Sequence, residues 1–259
     1  FGLTEPERGS DAAHLLTTAR REGNDYILSG AKRWIGNAAV ADVLIVWAKD
    51  ESGGMGGFVI EQPAQTPGVS IQNLSGKITK RAVLNADITL DEVRVPADNR
   101  LANCTSFKDL AQVLTESRYG VVWEATGLAT GCFELALQYA QTREQFGKPI
   151  GAYQLIQSKL VEMAAEVTQM WLLGYQLAHL LADGQMTPGQ VALAKYNNAR
   201  KARTVAQLAR ETLGGNGVLL EYHVARLKTD AEAVYTYEGS NEINLLIAGR
   251  ELTGFNAIV

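Results

Sequence analysis

The apolar pattern of this chain changes period once, close to Pro96, and that change limits what the chain can fold into. Before it, short runs such as YILSGAKRWI, DVLIVWAK, GGFVIEQ, VSIQNL and NADITLDEVRVP are rich in β-branched and aromatic residues. Gly, Pro, Asn and Asp punctuate them. Ala86-Asp87-Ile88-Thr89-Leu90 alternates with period two, which suits a sheet with one buried face. Closely spaced turns without long helices between them favour an antiparallel barrel or sandwich over a βαβ fold.

After Pro96 the period is helical. Residues 105 to about 142 contain no proline and carry Leu110, Val113, Leu114, Val121, Val122, Ala125 and Leu128 at helical spacing. A second helix is predicted from about Tyr153 to Leu181, with Leu155, Ile156, Leu160, Met163, Val167 and Met170 in its stripe. It ends at Ala182-Asp183-Gly184, where Gly184 suits a left-handed C-cap. Thr187-Pro188 supplies an N-cap and a first-turn proline for a third helix reaching Leu213. Gly214-Gly215-Asn216-Gly217 breaks it, and shorter helices are predicted near 221–235 and 241–252. The expected fold class is α+β: an antiparallel β-barrel-like domain over residues 1–100, then an all-α helical bundle over 101–259. The 153–181 stripe is wide for one face. It reads either as a central bundle helix or as a surface that an oligomer buries.

Of the 259 residues, 46% are hydrophobic and 20% charged, a soluble globular composition long enough for a sizeable core. A net charge of −4 argues against nucleic acid as the main partner, because phosphate binding needs a clustered positive surface. Cys104 and Cys132 set no disulfide framework, and with the scattered His14, His179 and His223 they give no metal-ligand spacing. No metal is expected. No apolar run approaches the roughly 18 residues of a membrane span. The sequence has no secretory signal and closes GFNAIV, not on an SKL-type ending. A reducing compartment is expected, the cytoplasm first, with the mitochondrial matrix or peroxisome as eukaryotic alternatives. The sequence opens at Phe1 in motif-like residues, as if entered part-way.

Five stretches look more constrained than folding requires. FGLTEPERGSD (residues 1–11) is turn-rich and carries hydroxyls that suit a polar ligand, although a loop between strands explains half of it. KRWIGN places Trp34 before Gly36 and Asn37; a strand tryptophan is ordinarily core, but here it also suits a flat wall for a planar ring. REQFGKPI holds Arg143, whose donor fork suits phosphate, and Phe146, which suits an adenine face; a basic turn ending a helix is the plainer reading. LGGNG is a glycine-rich turn that lets a backbone approach a ligand or simply caps a helix, and no strand precedes it as a dinucleotide fingerprint requires. TYEGSNE sets Glu238 between Tyr237 and Gly239, either as an exposed helix-end acid or as a base in an apolar slot.

Together and in this order, TEPxxGSD, WIxN, RxQFGxPI, LGGNG and YEG[ST] resemble the acyl-CoA dehydrogenase and acyl-CoA oxidase flavoprotein family over nearly the whole chain. KRWIGN, GQMTPGQ, ETLGGNG and TYEG…GRELTG look most like the branch of glutaryl-CoA dehydrogenases and short-chain peroxisomal oxidases. The resemblance implies a middle β domain and a C-terminal helical bundle. The family's N-terminal helical domain has no counterpart in these residues, so either the sequence is a fragment or another chain supplies those helices.

The resemblance also implies FAD, an acyl-CoA substrate, an electron-transfer flavoprotein as acceptor, and a homo-oligomer built as a dimer of dimers. Glu238 maps onto the family's base, which takes the α-proton of the thioester while the β-hydrogen leaves as hydride, giving a trans-2-enoyl-CoA. The thioester oxygen is expected to meet the base's own main-chain N–H. Thr4 is expected at the flavin ring, Ser10 at a flavin or CoA phosphate, and Trp34 against the isoalloxazine. Arg143 and Phe146 are expected at the pyrophosphate and adenine across a subunit contact, with Gly214 and Gly215 close by. Ser240 and Glu242 are expected near the adenosine half, and Arg118, Tyr237 and Gly239 near the base and substrate. Gly36 stands where many dehydrogenases carry threonine, which raises a short-chain oxidase making hydrogen peroxide as the alternative. A flavin-poor structural subunit is the reading from another class.

Overall fold

The computed structural model of the protein describes residues 1–258. The chain divides into two compact units, Phe1–Val113 and the residues from Leu114 onward.

The first unit is a six-stranded sheet of β1 (Thr18–Glu22), β2 (Asp25–Gly36), β3 (Val43–Asp50), β4 (Met55–Glu61), β5 (Val69–Asn73) and β6 (Asn85–Pro96), in the order β4-β3-β1-β2-β6-β5. Every pairing is antiparallel except β1 with β3, where Thr18 faces Lys49 and Ala19 faces Asp50. The sheet is therefore mixed at one place, where the turn pattern predicts only antiparallel neighbours. The predicted alternation holds: Ala86, Ile88 and Leu90 are buried and pack with Leu28, Val46 and Phe58. A fully buried apolar side chain of this size contributes roughly 1.5–3 kcal/mol.

The β2–β6 ladder shifts register twice, between Leu28 and Gly30 and again between Lys32 and Ile35. At the second shift Arg33 and Trp34 share the span that Asp87 alone occupies on β6, and Trp34 takes φ +66°. A bulge of this kind re-aims a side chain. Trp34 is thereby turned out of the core and is 52% exposed.

The second unit is helical. It contains most of α1 (Phe107–Thr142), then a hairpin of β7 (Glu144–Gln145) and β8 (Lys148–Pro149), α2 (Gln154–Ala182), α3 (Pro188–Thr212), α4 (Val224–Thr236) and α5 (Asn241–Thr253). The predicted stops and starts are present. Gly184 takes φ +67° after α2, and Thr187 with Gln190 forms a capping box at α3. α3 is the central helix and packs on α2, α4 and α5. Its buried stripe is mostly small, including Ala194, Ala199, Ala202, Ala206 and Ala209, so neighbouring helices approach closely. After Thr212 the α-helix gives way to a short 3-10 segment, Gly214–Val218.

Candidate active site

In the first unit Thr4 and Trp34 sit on segments joined by a buried ion pair. Residues 2–4 follow the sheet: the Gly2 N–H donates to the Ile45 carbonyl (2.6 Å) and the Arg33 N–H to the Thr4 carbonyl (2.8 Å). The next residue, Glu5, accepts from the Thr17 N–H (2.9 Å), the Thr17 hydroxyl (2.6 Å), the Leu16 N–H (2.6 Å) and the Lys32 ammonium (2.9 Å). Lys32, fully buried, also donates to the Leu3 carbonyl at 3.1 Å. Burial pushes Lys32 down to about 8, against the upward pull of Glu5. Burial alone would raise Glu5, but its donors from Thr17, Leu16 and Lys32 together hold it below the usual carboxylate range. Ser10 is exposed. The Arg33 guanidinium lies 5.4 Å from the Trp34 ring centre. A Cβ on Gly36 would meet only Val83, at 3.6 Å, so packing does not require glycine there.

In the second unit two separate motifs meet at one cavity of about 790 Å³. Arg143 and Phe146 line one side, Leu213 to Asn216 another, and Tyr139 and Tyr153 are also in the wall. Phe146 and Gly147, both at positive φ, form the two-residue tip of the β7–β8 hairpin, as the favoured hairpin turn requires. That tip leaves Phe146 95% exposed. Among the described residues the Arg143 guanidinium has no hydrogen-bond or ion-pair partner. The glycines of LGGNG serve different ends. Gly214 adopts φ +58°, and a Cβ on Gly217 would lie 2.3 Å from the Arg210 carbonyl oxygen. At Gly215 an added Cβ meets nothing within 4 Å. A free guanidinium, an exposed ring and an open glycine backbone form a set that suits an anionic, ring-bearing ligand.

Glu238 does not line that cavity. It lies in the turn between α4 and α5, at φ +56°, followed by Gly239 at +81°. A left-handed conformation at a non-glycine residue costs roughly 1–2 kcal/mol, and buried donors hold it in place. Arg118 Nε donates to the Glu238 carbonyl (2.9 Å), and Lys195 Nζ to the carbonyls of Tyr235 (3.1 Å) and Gly239 (2.9 Å). Asn244 Nδ2 reaches the carbonyls of Gly239 (2.8 Å) and Ser240 (3.0 Å). Among the described residues the Glu238 carboxylate accepts only the Ser117 hydroxyl, at 2.7 Å, and has no ion pair. Its main-chain N–H has no acceptor among them.

Electrostatics around this turn follow from burial. Lys195 is brought down to about 8 by burial and then by Arg118, against the pulls of Glu238 and Glu242. Burial likewise lowers Arg118. The Tyr237 phenol donates to Glu124, and desolvation together with that carboxylate pushes it well above the usual tyrosine range. Ser240 caps α5 by accepting from the Ile243 N–H (3.3 Å). Glu242 is held below the usual carboxylate range by its own main-chain N–H and by Ser240.

Two family models cover almost the whole chain: the acyl-CoA dehydrogenase middle domain matches residues 1–93, and the acyl-CoA dehydrogenase C-terminal domain matches residues 107–253. The chain belongs to the acyl-CoA dehydrogenase family. A glutaryl-CoA dehydrogenase of Desulfococcus multivorans is 38% identical over 98% of this chain. A crystal structure of glutaryl-CoA dehydrogenase from Mycobacterium smegmatis superposes with a TM-score of 0.96 at 44% identity over 100% of the chain. A glutaryl-coenzyme A dehydrogenase solved as its glutaryl-CoA complex gives a TM-score of 0.93 at 37% identity over 99%. The chain spans 66% of the length of each of these three proteins.

Within this family frame, the residues singled out from the motifs fall into three groups. Thr4, Ser10, Trp34 and Gly36 are in the first unit; Arg143, Phe146, Gly214 and Gly215 share the cavity; Arg118, Tyr237, Gly239, Ser240 and Glu242 surround Glu238. Motif reading passed over Glu5, Lys32, Ser117, Lys195 and Asn244. A signal for two of them was present: Lys32 shares the inward parity of Tyr26 and Leu28, and Lys195 lies on the apolar stripe of Val191, Ala199 and Ala202. Charge on a buried face marks a group with a specific partner. Among the described residues no group of three or more His, Cys, Asp or Glu side chains is placed to hold a metal, and both cysteines are buried and free. Burial raises the Cys132 thiol to about 12. No helix among them is long and apolar enough to cross a membrane.

Proposed function

We propose that this chain carries the flavin- and substrate-binding parts of an FAD-dependent dehydrogenase that converts a short-chain acyl-CoA thioester, glutaryl-CoA among the candidates, to its trans-2-enoyl-CoA. The observation that carries the reading is Glu238: a carboxylate on a left-handed turn that, among the described residues, has no ion pair and whose own main-chain N–H has no acceptor.

Arg143, Phe146 and the open backbone at Gly214 and Gly215 would hold the pyrophosphate and adenine of FAD; Thr4, Trp34 and Gly36 would meet its ring, and Ser10 a phosphate. When bound, FAD supplies the acceptor for the hydride that leaves the β-carbon. Glu238 takes the α-proton. An α-C–H next to a thioester is a weak acid, so charge develops on the thioester oxygen as the proton leaves. The free N–H of Glu238 is a donor for that oxygen, in the manner of an oxyanion hole. Arg118, Tyr237 and Gly239 shape the substrate end; Tyr237 stays neutral there, its one phenol proton donated to Glu124. Ser240 and Glu242 lie near the adenosine half. Glu238 is absent from the lining of the cavity that holds Arg143 and Phe146. That supports a homo-oligomer in which one copy's cavity serves another copy's Glu238.

An electron-transfer flavoprotein is the proposed acceptor. The bare Gly36 favours a second reading, in which molecular oxygen reaches the flavin and hydrogen peroxide is made. Anaerobic titration of the flavin-loaded protein with butyryl-CoA and with glutaryl-CoA tests the first reading: the oxidised flavin band is expected to bleach. A yellow protein that neither thioester bleaches contradicts it. Rapid recovery of the band on admitting air, with peroxide formed, selects the oxidase.

A further inference from the structure

The two buried cations beside Glu238 spend their donors on main-chain carbonyls and not on its carboxylate. Lys195 is fully buried on α3, and its Nζ binds the carbonyls of Tyr235 and Gly239, one on each side of Glu238. Asn244, also fully buried, binds the Gly239 carbonyl from α5. An ammonium with no carboxylate partner in such a place is costly, and geometry shows what it does: it ties the last turn of α4 to the start of α5 through the turn that presents Glu238.

We propose that Lys195, with Asn244, is a positioning residue for Glu238, fixing where the carboxylate lies without pairing with it. This rests on the reading of Glu238 as the base. A cation bound directly to that carboxylate would stabilise its charged form and weaken it as a base. A cation bound to the neighbouring carbonyls fixes the same atoms in space and leaves the carboxylate to the Ser117 hydroxyl alone. It also maintains a positive backbone φ that a residue bearing a Cβ, such as Glu238, seldom adopts unaided.

Two readouts test this. Hydrogen exchange of the protein without substrate reports the turn itself. In Lys195→Met, the hydrogen-bonded amides of the turn, those of Tyr237, Ile243 and Asn244, are expected to lose protection while those in the middle of α2 keep theirs. In the flavin-loaded protein, the same variant is expected to slow anaerobic bleaching by at least about tenfold, toward the ~100-fold cost of a misplaced reacting group. KM for the acyl-CoA is expected to change by less than about twofold, because the interaction serves the reacting group and not substrate binding.

Unchanged exchange at Tyr237, Ile243 and Asn244 overturns the proposal whatever Glu238 does. Lost protection with parent-like bleaching overturns it too, provided that Glu238→Gln abolishes bleaching. Parent-like bleaching in Glu238→Gln sinks the base reading instead, and the exchange data then still report on the anchor. If Lys195→Met does not fold, Asn244→Leu removes the second anchor and carries the same expectations; parent-like exchange and bleaching in that variant overturn the proposal.

Discussion

Two lysines are fully buried among the described residues, one in each unit, and they are satisfied in opposite ways. Lys32 faces a carboxylate, Glu5, which is saturated by the backbone and hydroxyl of Thr17 and the N–H of Leu16. Lys195 faces carbonyls, while the nearby carboxylate of Glu238 is left almost unbound. Burial, opposed by Glu5, brings Lys32 to about 8; burial and then Arg118, opposed by Glu238 and Glu242, bring Lys195 to about 8. What differs is the acid. The first arrangement consumes a carboxylate to lock a loop. The second locks a loop and keeps a carboxylate available. A buried charge pair is a fastening; a buried cation held by backbone beside a free acid points to chemistry.

The largest expected effect breaks the first arrangement. Glu5→Gln leaves Lys32 buried without its counter-charge, and removing one partner of such a pair costs roughly 3–5 kcal/mol. Urea unfolding of the parent and the variant measures it. The pH dependence has a definite sign. Glu5 is held below the usual carboxylate range, so its contribution is fully present above the unfolded-state pKa and is lost as pH falls through the folded-state value. The gap between parent and variant is therefore expected to narrow only as pH falls below the ordinary carboxylate pKa toward the folded-state value; a gap that stays constant through that acid range contradicts the assignment.

Next in size is a contrast within LGGNG. Gly217→Ala drives a Cβ toward the Arg210 carbonyl oxygen and is expected to cost roughly 1–3 kcal/mol in thermal or urea unfolding, the range for overpacking. Gly215→Ala meets open space and is expected to stay within about 0.5 kcal/mol of the parent. Flavin titration of Gly215→Ala is nevertheless expected to show weaker binding, because its methyl group enters the cavity. Equal flavin affinity would remove Gly215 from the proposed cofactor contact.

Smaller still, Ser117→Ala deletes the lone hydroxyl on the Glu238 carboxylate. A net hydrogen-bond worth of about 0.5–1.5 kcal/mol corresponds to a change of roughly two- to tenfold in bleaching rate. The change is expected well below that of Lys195→Met; a larger one would make the hydroxyl, not the backbone anchor, the main determinant of position. The smallest stability effect is expected for Gly36→Thr, whose Cβ has room beside Val83. That variant is read by oxygen consumption: a drop in oxygen turnover supports the oxidase alternative, and no drop counts against it.

Much of this was legible in the sequence because its causes are local. The capping box at Thr187, the left-handed Gly184 and the alternation from Ala86 to Leu90 depend on neighbours a few residues away. The parallel pairing of β1 with β3 was not legible, since turn spacing does not report which strands meet across the sheet. The exposure of Trp34 is not legible locally, because it depends on a register shift against β6, which no local pattern encodes. The motifs located Glu238 but not what holds it. Lys195 is 43 residues earlier and Ser117 is 121 residues earlier, and only folding brings them to the α4–α5 turn. Charge on an inward-facing position, at Lys32 and at Lys195, was the available sign.

The most direct test of the central claim compares anaerobic flavin bleaching by one acyl-CoA in the parent and in Glu238→Gln, both loaded with FAD. Loss of the base is expected to slow bleaching by roughly 10²- to 10⁴-fold while flavin binding is retained. A Glu238→Gln protein that bleaches as fast as the parent contradicts the assignment of the α-proton to Glu238.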